Sequence, residues 1–168
     1  MKRFICMIFL IVICFLLQTT VFQAIALANT VPNLLLILIV AIGYMSGKVE
    51  GMFLGFFCGL IVDCMYGQVI GISALLYMLV GYLVGICNKI YYRDDLTVPI
   101  ILVAASDLIF NFCYYVLVFL LRARLNFLFY FRRIMMPELV YTVFVSIVVY
   151  KLIHSLFGLL DRSTNKEV

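Results

Sequence analysis

The stretch Gly51-Met52-Phe53-Leu54-Gly55-Phe56-Phe57-Cys58-Gly59-Leu60-Ile61-Val62-Asp63 decides how the chain is read. Its glycines recur every four residues, so a helix places all three on one face, with the Asp63 carboxylate one turn further along it. Such a face is a notch that lets a second helix approach closely in lipid, where acyl tails supply no hydrophobic drive for association. A second notch follows, with Ser73, Tyr77, Gly81 and Gly85 at the same interval. The expectation is an internal seam in which Gly51, Gly55, Gly59, Gly81 and Gly85 serve helix packing or partner binding.

The rest of the chain has the same character. Of 168 residues, 67% are hydrophobic and 12% charged, with a mean hydropathy of +1.24; a soluble domain carries roughly 25% charged residues. One membrane span takes about 20 apolar residues, so the length accommodates roughly six spans and no soluble catalytic domain. Backbone groups in hydrocarbon must be satisfied internally, which makes those spans helices. The expected fold is therefore an all-α integral membrane protein, a single polytopic domain over 1–168 with transmembrane helices near 4–28, 31–46, 51–66, 72–87, 97–121 and 137–160 in one bundle.

With 12 Lys+Arg against 8 Asp+Glu, the charges are too few and dispersed for nucleic-acid binding, and they report topology instead. A cytoplasmic N-terminus puts Lys2, Arg3, Lys48, Lys89, Arg93, Arg162 and Lys166 inside, while the outer segments 29–31 and 67–70 carry no cation. The exception is the basic, aromatic loop Arg122–Arg133, with Arg122, Arg124, Arg132 and Arg133, which six spans place outside; its aromatic middle suits the membrane interface. The first run also mimics a signal peptide, but its length favours a retained span.

Several polar residues stand out against this background. Pro32 and Asn33 introduce the second helix, as proline suits a helix start. Gly67 and Gly71 bound an uncharged reversal, and Asp63 is expected to accept backbone N–H groups there, since an unpaired carboxylate in hydrocarbon costs several kcal/mol. Asp107 and Asn111, one turn apart, form a second intramembrane polar spot. Pro137 and Glu138 are expected to start the last helix, with Glu138 stabilising its N-terminus and pairing with nearby arginines.

The six cysteines, Cys6, Cys14, Cys58, Cys64, Cys87 and Cys113, lie in apolar runs with no Cys-x-x-Cys pair or adjacent histidine, so neither disulfide nor metal is assigned. His154 stands alone near the end of the last span. No glycine-rich phosphate loop, nucleophile with base or metal-ligand set occurs. The expectation is a non-enzyme without catalytic residues or cofactor.

Pro32-Asn33-Leu34-Leu35-Leu36-Ile37-Leu38, then Gly47, Glu50 through Asp63, Gly71-Ile72-Ser73-Ala74-Leu75-Leu76-Tyr77 and Gly81-Tyr82 together resemble the bacterial rod-shape-determining MreD family in order and spacing. The Gly-x-x-x-Gly-x-x-x-Gly-Leu-x-x-Asp block is the most specific part; where the family often has Asp after the proline, this chain has Asn33. The resemblance implies a non-enzymatic multi-pass component of the plasma-membrane machinery for lateral cell-wall synthesis, acting with MreC, MreB, RodA and a class B penicillin-binding transpeptidase. It also implies a fold similar to the substrate-binding subunits of energy-coupling-factor vitamin transporters, which makes such a subunit the alternative function. A vitamin site needs polar and aromatic groups from several helices and outer loops, and the short outer turns here offer few.

Overall fold

The structure is a computed structural model that describes residues 2–24, 30–66, 70–90, 97–117 and 127–164. Gly67, Arg122, Arg124, and the expected ends of the first and fifth spans lie outside the described residues. The helices are α1 (Lys2–Ala24), α2 (Leu34–Ser46), α3 (Lys48–Tyr66), α4 (Ile72–Ile86), α5 (Thr97–Tyr115), the short α6 (Phe127–Tyr130) and α7 (Met136–Thr164). A 3-10 turn, Cys87–Ile90, follows α4, and a π-helical segment, Phe131–Met135, joins α6 to α7.

The bundle is organised around α2. This helix is apolar on every side, and every residue from Leu34 to Tyr44 is buried, as befits a helix surrounded by others. It packs against α1, α3, α4, α5 and α7. At 13 residues it is about 20 Å long, short of a roughly 30 Å hydrocarbon core. Irregular backbone at membrane depth is tolerated where protein covers it, and Thr30, Pro32 and Asn33 before the helix are all buried.

The sequence expectation of about six spans is accordingly refined. Four helical stretches, Met7–Ala24, Lys48–Tyr66, Thr97–Tyr115 and Phe131–Ser155, are long and apolar enough to cross a membrane, whereas Leu34–Ser46 and Ile72–Ile86 are shorter. The long helices present wide apolar surfaces, including Phe53, Phe56 and Phe57 on α3 and Phe144, Val148 and Leu152 on α7, all exposed. In a membrane protein these faces meet acyl chains, so their exposure carries no penalty.

Two boundaries differ from expectation. The gap expected between the helices near 31–46 and 51–66 contracts to Gly47, whose φ of 102° lies where glycine is favoured; its N–H donates to the Gly43 carbonyl at 2.9 Å and its own carbonyl accepts from Gly51 at 3.1 Å. The chain reverses on one residue, and Lys48, Val49 and Glu50 already belong to α3. At the other end of the chain, α7 begins at Met136, one residue before the expected start, with Glu138 in its first turn, but it continues helical backbone from upstream instead of opening freely. Helical backbone runs from Phe127 through Thr164, so no set of free N–H groups lies beside Glu138 for it to cap. Proline lacks an N–H and crowds the preceding turn; the wider π turn, in which the Met136 N–H reaches the Phe131 carbonyl, takes up that disruption. Arg132 and Arg133 consequently lie in this helical segment rather than in a loop.

Candidate functional site

The polar residues buried in the bundle gather at one end, where α3 and α5 finish and α2, α4 and α7 begin. Their first task is to satisfy helix termini. The opening N–H groups of a helix have no partner within it, and each one left bare in an apolar interior costs several kcal/mol. At α2 all four are bonded. Leu34 N–H donates to the Pro32 carbonyl at 3.1 Å and Ile37 N–H to the Asn33 carbonyl at 3.1 Å. Leu35 N–H donates to Gln18 Oε1 of α1 at 3.2 Å, and Leu36 N–H to Asn33 Oδ1 at 3.1 Å.

Asn33 does more than cap. Its Oδ1 also accepts from the Tyr77 hydroxyl of α4 at 2.8 Å, and its N–H donates to Thr142 Oγ1 of α7 at 3.2 Å. One residue thus holds three helices in register. Both side-chain contacts need only an acceptor, so Asn33→Asp is expected to keep them. Tyr77→Phe is expected to remove one net hydrogen bond, about 1 kcal/mol, lowering the melting temperature in detergent by about 2–4 °C. No change in melting would mean that the Tyr77 hydroxyl does not bind α2.

Asp63 serves α4 in the same way. Its Oδ2 accepts from Gly71 N–H at 2.8 Å and Ala74 N–H at 3.1 Å, and its Oδ1 from Ser73 N–H at 3.2 Å. Gly71 has a φ of 107°, which aims the chain back toward Asp63, and the carboxylate sits 2% exposed against the positive end of the helix dipole.

The glycines lie behind this end, along the α3–α4 contact, which is the most extensive between any two helices. A Cβ at Gly55 would overlap the Tyr77 carbonyl, one at Gly59 the Ala74 backbone, one at Gly81 the Gly51 carbonyl, and one at Gly85 the Lys48 backbone. A Cβ at Gly51 would come within 2.7 Å of the Gly81 carbonyl and 2.8 Å of the Gly43 Cα. Gly43 of α2, which sequence spacing did not single out, therefore joins the junction and brings the central helix into it.

Asp107, wholly buried on α5, has no hydrogen-bond partner on either carboxyl oxygen. Asn111, on the next turn, donates from Nδ2 to the Asp107 carbonyl at 3.1 Å. Its side chain also lies beside Glu138, which places Glu138 toward α5; Arg122 and Arg124, two of the arginines expected to pair with it, lie outside the described residues. The Tyr77 ring stacks on Phe110 at 4.5 Å and 19°, and Phe110 in turn on Tyr114 at 6.0 Å.

Between these groups lies a cavity of about 210 Å³ lined by Val62, Tyr66, Ser73, Tyr77, Phe110, Asn111, Tyr114, Tyr130 and Glu138. The polar and aromatic groups that the short turns do not supply come instead from the ends of α3, α4, α5, α6 and α7. Tyr66, Tyr77, Tyr114 and Tyr130, unevenly spaced along the chain, give no sequence signal that they share a wall. Among the described residues no three His, Cys, Asp or Glu side chains are grouped as a metal site. His154 stacks on Tyr150 far along α7.

This is an all-helical integral membrane protein whose buried polar groups cap helices, tie them together and line a small cavity. Residues 1–160 match the family described as rod shape-determining protein MreD, and the chain belongs to that family. It is thus a component of the rod-shape-determining system, associated with its complex, in a family that is generally structural rather than enzymatic. No curated protein and no solved structure matches it.

Proposed function

We propose that the protein is a non-enzymatic membrane scaffold of the elongation complex that binds MreC, in company with MreB, RodA and a class B penicillin-binding transpeptidase. The observation that carries this reading is the extent of the family match, 1–160, which takes in the whole bundle. Its N-terminus is cytoplasmic on the distribution of lysine and arginine, and the cavity then opens toward the outer leaflet. We assign Gly51, Gly55, Gly59, Gly81 and Gly85 to packing within the bundle, because each faces the backbone of α2, α3 or α4 and offers no groove to a helix from outside it. The single membrane helix of MreC would then dock on a lipid-facing surface outside this seam.

Co-expression with the MreC of the same bacterium tests the proposal. The expected result is a complex that stays together through gel filtration in mild detergent. Separate elution of two well-folded proteins would overturn it.

A further inference from the structure

Beyond any scaffold role, the cavity at the end of the bundle has the chemistry of a binding site, and we propose that it takes a small organic ammonium group, held by the Glu138 carboxylate within a box of tyrosine rings. Tyr66, Tyr77, Tyr114 and Tyr130 line the cavity with Phe110, and aromatic faces attract ammonium ions through their quadrupoles, more strongly where water is excluded. Glu138 and Asn111 are the most polar lining groups. Glu138 is half-buried on α7 beside Asn111, and the two oxygens of a carboxylate can accept from an ammonium as well as from an amide. The wholly buried Asp107, with both carboxyl oxygens unbonded among the described residues, lies on the α5 turn before Asn111 and sets a second carboxyl group behind the site. An anion would meet two carboxyl groups here, and a neutral apolar guest would leave both without a counterpart.

Size narrows the guest. At about 210 Å³ the cavity is smaller than the roughly 300–1,000 Å³ of sites that enclose a drug-sized ligand. It suits an ammonium head with a few carbons rather than a whole vitamin. Of the lining residues, Tyr66 is 57% exposed among the described residues, so the remainder of a larger molecule can stay outside past its ring. Arg132 and Arg133, the latter over the Phe129 ring, are exposed two and three residues beyond Tyr130, and such cations suit a phosphate attached to that ammonium. The same chemistry is offered by the headgroup of an aminophospholipid and by a free amine.

The test uses the purified full-length chain, which has 11 tyrosines and no tryptophan, so the four box tyrosines contribute to an emission that no tryptophan obscures. Phosphatidylethanolamine and phosphatidylglycerol are offered in equal amounts before detergent exchange, and native mass spectrometry reads the lipid retained; ethanolamine is titrated separately by tyrosine fluorescence. The expected result is preferential retention of phosphatidylethanolamine, weakened about tenfold in both Glu138→Gln and Tyr114→Leu. If ethanolamine also binds saturably, the pocket accepts the free amine; if it is inert while phosphatidylethanolamine is retained, the lipid headgroup is the guest. Should Glu138→Gln not accumulate, Tyr66→Leu carries the same expectation. Equal retention of the two lipids with no response to ethanolamine, or variants that bind as the parent does, would overturn the proposal. Neither readout involves MreC, so it fails or stands apart from the scaffold reading.

Discussion

Gly59→Leu is expected to abolish accumulation of the folded protein, and Gly59→Ala to reduce it severely. The smallest side chain already overlaps backbone, with an added Cβ meeting the Ala74 Cα and lying 2.6 Å from both the Ala74 nitrogen and the Ser73 carbonyl oxygen. None of these is the end of a flexible side chain, so α3 and α4 must move apart along their length. Overpacking a core costs about 1–3 kcal/mol when side chains can shift, and occasionally more; backbone against backbone belongs at or above the top of that range. Against a total stability of about 5–15 kcal/mol, one such change removes a large share. Gly55→Leu is expected to behave likewise, since its Cβ would overlap the Tyr77 carbonyl. Gly71→Ala is the control. It has open space around the added carbon, and only its φ of 107° opposes substitution, a strain of about 1–2 kcal/mol. Membrane-extracted yield and gel-filtration profile check the series; Gly59→Leu at parental yield and profile would show that this is not a packed seam.

Asp63→Leu is expected to be the most damaging single loss of a polar group. It strands the N–H groups of Gly71, Ser73 and Ala74, all bonded to this carboxylate at 2.8–3.2 Å. Each unsatisfied buried donor costs about 1–3 kcal/mol, and Ser73 and Ala74 are both buried. Asp63→Asn keeps one acceptor oxygen, which in the place of Oδ2 serves Gly71 and Ala74 while the amide group confronts the Ser73 N–H. Its melting temperature and yield should therefore fall between those of the parent and Asp63→Leu. Equal loss in the two variants would mean that the negative charge, rather than the acceptor geometry, is what α4 requires.

The contrast between these sites and the cavity shows what the chain made legible. A four-residue glycine repeat has one geometric meaning on a helix, so the facing surfaces of α3 and α4 could be read before any coordinates. The central position of α2 could not, because a helix apolar on all sides looks the same whether it meets lipid or protein. Its short length was the available clue, together with the Gln18 and Asn33 side chains that end up bonded to its first turn. Gly43 was missed because it stands alone in α2, without a repeat to mark it. The start of α7 was legible from Pro137 to within one residue, but the π-helical Phe131–Met135 segment that leads into it was not, because that basic, aromatic stretch reads as a loop. Tyr66, Tyr77, Tyr114 and Tyr130 each look like interfacial tyrosines on their own, and only the packing of four helices and α6 turns them into one wall.

Capture of the tagged protein from its native host in gentle detergent, with mass spectrometry of the proteins and small molecules that accompany it, tests the scaffold claim most directly. The account predicts recovery of MreC, a protein with one membrane helix, together with RodA or a class B transpeptidase. Recovery of ATPase subunits and a stoichiometric vitamin in place of MreC would contradict it, and would mark the bundle as the substrate-binding subunit of an energy-coupling-factor transporter.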